Sequence, residues 1–262
     1  MATATISFTD GSAYERSMGI WSRAVGEEFL EWLAVPAGQS WLDVGCGNGS
    51  FTELVAERCS PTSVWGIDPS EEQVAFARSR LGNAPAEFQI GSALDLPYAD
   101  DSRDIATMAL VLFFVPDPRR SVDEMKRVVR PGGLIASYAW HMLGGGFPFE
   151  PVQSELRAMD IPYPLPPSVD ISPIEPSKRI WLDAGMEDVK TTTIKVERTF
   201  DDFDDLWNTF MIASIGRVIE KLDNPTRETL RERVRQKMVK DETGNITYAS
   251  LANCVKGRVA NN

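Results

Sequence analysis

Along the first half of the chain, short apolar runs alternate with amphipathic stretches, the pattern of βαβ units built on a parallel sheet. Residues 41–44 read as a short buried strand that ends in a glycine cluster. Residues 51–58 read as a helix, with Phe51, Leu54 and Val55 on one face. A second strand over 63–67 ends at Asp68. Pro69-Ser70-Glu71-Glu72 then opens a helix, its early carboxylates matching the positive N-terminal end. Residues 86–90 give a third strand, and 104–115 a fourth, apolar on both faces as a central parallel strand is. Pro116-Asp117-Pro118 ends it, a helix covers 119–129, Arg130-Pro131-Gly132-Gly133 turns, and 134–139 is a fifth strand.

The texture changes after the fifth strand. Gly144-Gly145-Gly146 opens a segment whose prolines cluster between 161 and 176, and residues 142–177 read as an inserted lid rather than part of a sheet. Regular patterning resumes with a helix over 177–184, a turn at Gly185 and a strand over 189–196. Two amphipathic stretches follow at 203–219 and 226–240, and 246–259 holds a last strand that closes the sheet. The expected organisation is a single domain over 1–262. It has N-terminal cap helices (1–34), a cofactor-binding core (35–141), the Pro/Gly-rich lid (142–177) and a C-terminal completion of the sheet (178–262).

Composition narrows the partners. Lys+Arg 27 against Asp+Glu 38 leaves a net charge of −11. A nucleic-acid surface draws on clustered cations, so this balance argues against a nucleic acid and against an anionic membrane face. The longest apolar run, 105–115, is far short of the ~20 residues a membrane-spanning helix needs. Residues 1–10 carry no basic residue and do not read as a signal peptide. Three cysteines, Cys46, Cys59 and Cys254, form neither a disulfide framework nor a metal-ligand spacing, so no metal is expected and a cytoplasmic location fits.

The chemistry lies in Leu42-Asp43-Val44-Gly45-Cys46-Gly47-Asn48-Gly49, which joins a strand to a helix. Glycines there let backbone approach a ligand, and the helix start favours a carboxylate or phosphate. Asp43, two residues ahead of the first glycine, would repel a pyrophosphate by about 1–4 kcal/mol and attract an ammonium or sulfonium. The sixth position of the dinucleotide fingerprint wants Gly or Ala, and here it is Ser50. Asp68, at the end of the second strand, can accept two hydrogen bonds from ribose hydroxyls. A ribonucleoside bearing an amino acid and a positive charge satisfies these features together, and S-adenosylmethionine is such a molecule.

With these motifs in order, the chain resembles class I S-adenosylmethionine-dependent methyltransferases, in the small-molecule branch similar to ubiquinone and menaquinone biosynthesis enzymes (methyltransferase type 11). The stretches carrying the resemblance are the glycine motif, Gly66-Ile67-Asp68-Pro69-Ser70, the segment from Gly91 to Pro97, Phe114-Val115-Pro116-Asp117-Pro118 and Arg130-Pro131-Gly132-Gly133. The resemblance implies a Rossmann-like, doubly wound α/β fold with a mostly parallel seven-stranded sheet whose last strand is antiparallel. It also implies that Asp43, Gly45, Cys46 and Gly47 surround the methionine part of the cofactor. Asp68 would hold the ribose, with Pro69 and Gln73 near the adenosine. Ser92 and Ala93 would meet the adenine edge, Leu94 its ring, and Leu110 and Val111 would complete the methionine pocket. Two departures stand out: Ser92 replaces a frequent Asp, and Arg103 a usual aromatic residue.

His141, the only histidine, lies just past the fifth strand and reads either as the candidate general base or as a loop residue that faces solvent or caps the pocket. Tyr14, Met18 and Trp21 have helical spacing and are expected either to pack an N-terminal helix or to cover the pocket. Cys46 is read as a small residue offering its backbone amide, since no basic partner would activate its thiol. The expected function is methyl transfer from S-adenosylmethionine to a small-molecule acceptor, with S-adenosylhomocysteine as product; a homodimer is left open. Two other readings share the same turn: a nicotinamide-dependent oxidoreductase, and a non-catalytic S-adenosylmethionine-binding protein.

Overall fold

A computed structural model describes residues 15–81 and 86–261. A π-helical turn, Glu15–Gly19, leads into helix α1 (Ile20–Leu33). The core then runs β1 (Ser40–Val44), α2 (Ser50–Arg58), β2 (Ser63–Asp68), α3 (Glu71–Leu81), β3 (Ala86–Ile90), β4 (Arg103–Ala109), α4 (Pro118–Val128) and β5 (Val129–Trp140). The chain continues through α5 (Glu150–Ala158), α6 (Ile174–Asp183), β6 (Glu187–Phe200), α7 (Phe203–Ile212), α8 (Gly216–Glu220), α9 (Asn224–Lys237) and β7 (Ile246–Arg258).

The strands form one seven-stranded sheet in the order β3-β2-β1-β4-β5-β7-β6. Pairings among the first five strands are parallel, and β7 runs antiparallel to both β5 and β6. This is the doubly wound, Rossmann-like sheet that the alternating pattern predicts. The reversal of strand order next to β1 opens a crevice at the carboxyl ends of β1 and β4, where such sheets place ligands.

Alternation along the strands puts helices on both faces. Tyr138 of β5 meets Phe29 of α1 with ring centroids 4.6 Å apart. Ile135 has the opposite parity; its register partner Gly257 lies against Trp181 of α6. Trp21, Trp41, Trp140 and Trp181 are all fully buried, so the largest side chains lie in the core. Among the described residues no helix is long and apolar enough to cross a membrane.

Several boundaries differ from the pattern, each for a physical reason. The fourth strand stops at Ala109 rather than continuing to 115. Leu110 turns left-handed, with φ 62°, and its amide donates to Tyr138 O at 2.9 Å. A 3-10 turn, Leu112–Phe114, follows. The fifth strand begins earlier, at Val129, and takes in the expected turn Arg130–Gly133, because the chain end pairs with it: Gly132 N–H donates to Val259 O at 2.9 Å. The stretch 203–219 divides into α7 and α8 around Ala213, whose backbone is extended. Residues 142–177 contain a nine-residue helix, α5, besides the proline-rich run.

Candidate functional site

A cavity of about 890 Å³ opens at the carboxyl ends of β1, β2 and β4. Its floor is the turn between β1 and α2. Gly45 N–H and Cys46 N–H both donate to Ile67 O, at 2.7 and 3.0 Å, which ties the turn to β2. Gly45 has φ 76°, and a Cβ there would come 2.4 Å from Val111 Cγ1, so only glycine lets this turn pass beneath the segment after β4. Gly47 differs. Its φ is 50°, but a Cβ would meet nothing closer than Gln73 Oε1 at 4.0 Å; this position faces the open cavity.

Two carboxylates flank the turn. Asp43, in β1, is 1% exposed, and its Oδ2 accepts from Thr52 Oγ1 at 2.6 Å. Its Oδ1 has no partner within the protein. Burial pushes its pKa up to about 7; the Thr52 bond pulls it down and the nearby Asp68 charge adds to the rise. Thr107, its register partner on β4, also leaves a buried hydroxyl unpaired. Asp68 accepts Gly47 N–H at 3.0 Å through Oδ2 and Ser70 N–H at 2.9 Å through Oδ1. Burial raises its pKa, and those two amides oppose the rise. Asp68 therefore shapes the glycine turn and the entry to α3 at once. The Cys46 thiol also lines the cavity, with its pKa pushed well above normal by burial, which fits a packing residue rather than a nucleophile.

The remaining positions in the cofactor set join the same cavity. Pro69 and Gln73 stand at the start of α3; Ser92, Ala93 and Leu94 follow β3; Leu110 and Val111 follow β4. Ser92 Oγ accepts Leu94 N–H at 3.1 Å, and Arg120 Nε donates to Leu94 O at 2.8 Å, which fixes this short loop. Arg103 is accommodated by packing: its guanidinium lies over the rings of Trp65 and Tyr98, 5.0 and 4.6 Å from their centroids.

Other expected residues stand elsewhere. Tyr14 lies outside the described residues. Met18 and Trp21 are buried, Trp21 packs on Tyr248 at 5.1 Å, and neither lines the cavity. His141 does not line it either. Beyond β5 the chain hooks into the turn Met142–Gly144, and the imidazole packs so closely over Gly144 that a Cβ there would come 2.1 Å from its Cε1. Among the described residues no group of three His, Cys, Asp or Glu side chains could hold a metal ion.

Sequence reasoning missed much of the far wall. Ser22 and Arg23 of α1, Phe51 and Leu54 of α2, Phe114 to Pro116, Tyr138, and Leu165 to Pro167 all line the cavity. The apolar stripe of α2 and the proline peak of the insertion were the available signals, but neither says which cavity it faces.

Residues 42–137 match the family described as methyltransferase domain. The core of this chain is similar to methyltransferase domains over that segment. Its glycine turn, both flanking carboxylates and the loop after β3 all fall inside the matched segment. Among curated relatives, methyltransferase GfsG of Streptomyces halstedii is 39% identical over 114 residues, covering 42% of this chain and 41% of that protein. Demethylmenaquinone methyltransferase of Halalkalibacterium halodurans is 32% identical over 117 residues, covering 43% of this chain and 48% of that protein. The chain thus spans less than half the length of these relatives. Likeness in fold extends beyond the matched segment. The solved Haemonchus contortus phosphoethanolamine N-methyltransferase 2, in complex with phosphomonomethylethanolamine and S-adenosylhomocysteine, superposes with a TM-score of 0.58. That likeness covers 95% of this chain and 57% of the other at 16% identity, so it concerns the fold.

Proposed function

We propose that this protein transfers a methyl group from S-adenosylmethionine to a small-molecule acceptor by in-line displacement. The observation that carries the reading is Asp43: a fully buried carboxyl at the cavity floor, with one oxygen unpaired and the unpaired Thr107 hydroxyl on its register partner. An unpaired buried acceptor is costly, and a cationic amino acid is the ligand that relieves it. A pyrophosphate would add to the cost, which disfavours the nicotinamide alternative.

The chain's own residues then divide the work. Asp43, Gly45, Cys46 and Gly47 hold the methionine end; Asp68 positions the ribose; Ser92, Ala93 and Leu94, with Pro69 and Gln73, enclose the adenosine. Leu110 and Val111, which follow β4, complete the methionine pocket. Bound there, S-adenosylmethionine supplies a methyl carbon already activated by a sulfonium and leaves as S-adenosylhomocysteine. The protein's contribution is alignment and exclusion of water, and orientation alone supplies about 7–11 kcal/mol of barrier reduction. Residues 142–177 act as the lid through Leu165 to Pro167, which roof the cavity mouth.

Calorimetry of the purified protein at pH 8 tests the reading. S-adenosylhomocysteine is expected to bind one per chain at sub-millimolar concentration, without enhancement of reduced nicotinamide fluorescence on mixing. No heat at millimolar ligand would refute it.

A further inference from the structure

Beyond the residues assigned to the cofactor, the cavity is lined by a second set of residues with a different character. Phe51 and Leu54 of α2, Tyr138 of β5, Phe114, and Leu165 and Pro166 of the insertion form its walls. Apart from Ser22 and Arg23 of α1, which line the same far wall, these are carbon surfaces. The Tyr138 ring packs against Phe29 and Phe51, at 4.6 and 5.9 Å, and its hydroxyl lies 3.5 Å from the position of a Cβ on Gly26, so the oxygen points into the α1 packing. The roof is anchored rather than loosely laid. Ser168 N–H donates to Phe113 O at 3.0 Å and Ser168 Oγ to Val115 O at 2.7 Å, which fixes Leu165 and Pro166 over the turn that carries Phe114.

Charge points the same way. Among the described residues that line the cavity, the one Lys or Arg is Arg23, and it is already compensated by Glu57 at 2.9 Å and Glu27 at 3.4 Å. The same cavity is lined by Asp43 and Asp68. A phosphate or carboxylate on the acceptor would meet two carboxylates and a neutralised arginine. Size is also informative. Sites for one drug-sized ligand span about 300–1,000 Å³, and a cavity of about 890 Å³ stands near the top of that range, with room for a cofactor and a second small molecule.

We infer that this second set of residues forms the acceptor site and that it takes an uncharged, largely apolar molecule, excluding phosphorylated and carboxylated acceptors. The inference rests on the methyltransferase reading above and adds the chemical class of its acceptor. The acceptor's body lies against Phe51, Phe114 and Leu165, burying carbon surface on both sides, and its nucleophilic atom faces Leu110 and Val111. In the transfer the acceptor's lone pair forms the bond to the methyl carbon, the carbon–sulfur bond breaks, and its electron pair returns to sulfur; the methylated atom then releases its proton to water.

The test uses the full chain saturated with S-adenosylhomocysteine and two naphthyl fluorophores of similar shape: uncharged N-phenyl-1-naphthylamine and its anionic sulfonate analogue. The uncharged probe is expected to bind one per chain without displacing S-adenosylhomocysteine, and the sulfonate at least ten-fold more weakly. Leu165→Glu, at a 44% exposed roof position that fold stability tolerates, and Phe114→Ser are each expected to weaken the uncharged probe at least ten-fold. Both should leave S-adenosylhomocysteine affinity within two-fold. Equal binding of the two probes, unchanged probe affinity in both variants, or mutual displacement of probe and S-adenosylhomocysteine would overturn the inference. Failure of S-adenosylhomocysteine to bind the unmodified chain would instead sink the cofactor reading, so the two failures are distinguishable.

Discussion

At the scale of single residues, Asp43 concentrates the tension between stability and binding. Its pKa rises from the ordinary value near 4 to about 7, so the folded chain keeps a proton that the unfolded chain releases within that window. The contribution to stability is therefore full below pH 4, lost progressively as pH rises from 4 to 7, and flat above; the span is about 4 kcal/mol at 1.36 kcal/mol per unit. Asp43→Asn removes the titration and keeps an acceptor for Thr52. Thermal melts of the ligand-free protein are expected to show the variant gaining several degrees over the parent between pH 5 and 8. The same variant should bind S-adenosylhomocysteine more weakly, and the parent's affinity should rise over that range, as ionised Asp43 meets the ligand's ammonium. A melt difference that does not change with pH would contradict this account of the site.

Asp68 and the two glycines make a second set. Asp68→Ala loses the two backbone amides that the carboxylate receives and, on the proposed reading, the ribose contact. Its S-adenosylhomocysteine affinity is expected to fall by about 2–3 kcal/mol, or roughly 30- to 150-fold, with a smaller loss of stability, as calorimetry and melting will show. Gly45→Ala and Gly47→Ala separate fold from function. The first collides with Val111 and should unfold at markedly lower temperature. The second pays only the cost of a left-handed alanine, about 1–2 kcal/mol, and puts its methyl into the cavity, so it should fold and bind poorly.

Among the elements, the insertion is joined to the C-terminal helix by a buried charge. Glu155 of α5 is 3% exposed and accepts from Arg233 Nε of α9 at 2.5 Å, with Lys237 Nζ also in contact, while both cations remain half in solvent. That asymmetry predicts unequal effects. Glu155→Ala leaves two cations that water can solvate and should cost about 1 kcal/mol. Arg233→Ala with Lys237→Ala removes both partners of the carboxylate and should cost more, about 1–2 kcal/mol, in denaturant titrations. Most element identities were legible in the pattern, because apolar spacing and proline or glycine punctuation act over a few residues. The end of β4 was not. Residues 105–115 are uniformly apolar, and nothing local says that Leu110 turns left-handed; its amide is claimed by Tyr138 on a neighbouring strand. Likewise the turn expected at 130–133 joins β5 because Val259, just after β7, pairs with it.

For the whole molecule, the −11 charge and the compensated arginine at the cavity argue against polyanionic partners. A labelled oligonucleotide is expected to migrate freely beside the protein in a gel-shift experiment at physiological salt; retention would overturn that view.

The sequence by itself determined the sheet class, the glycine turn with its two flanking carboxylates, and the excess of negative charge. These are written in residues adjacent in the chain or summed over it. Only the tertiary structure decided which side chains share the cavity. It places Phe51, Phe114, Tyr138 and Leu165 around one space while His141, Met18 and Trp21 pack elsewhere. The physical reason is that the far wall joins segments from α1 to the insertion, more than a hundred residues apart in sequence. Their meeting depends on strand order and helix packing, which no local spacing records.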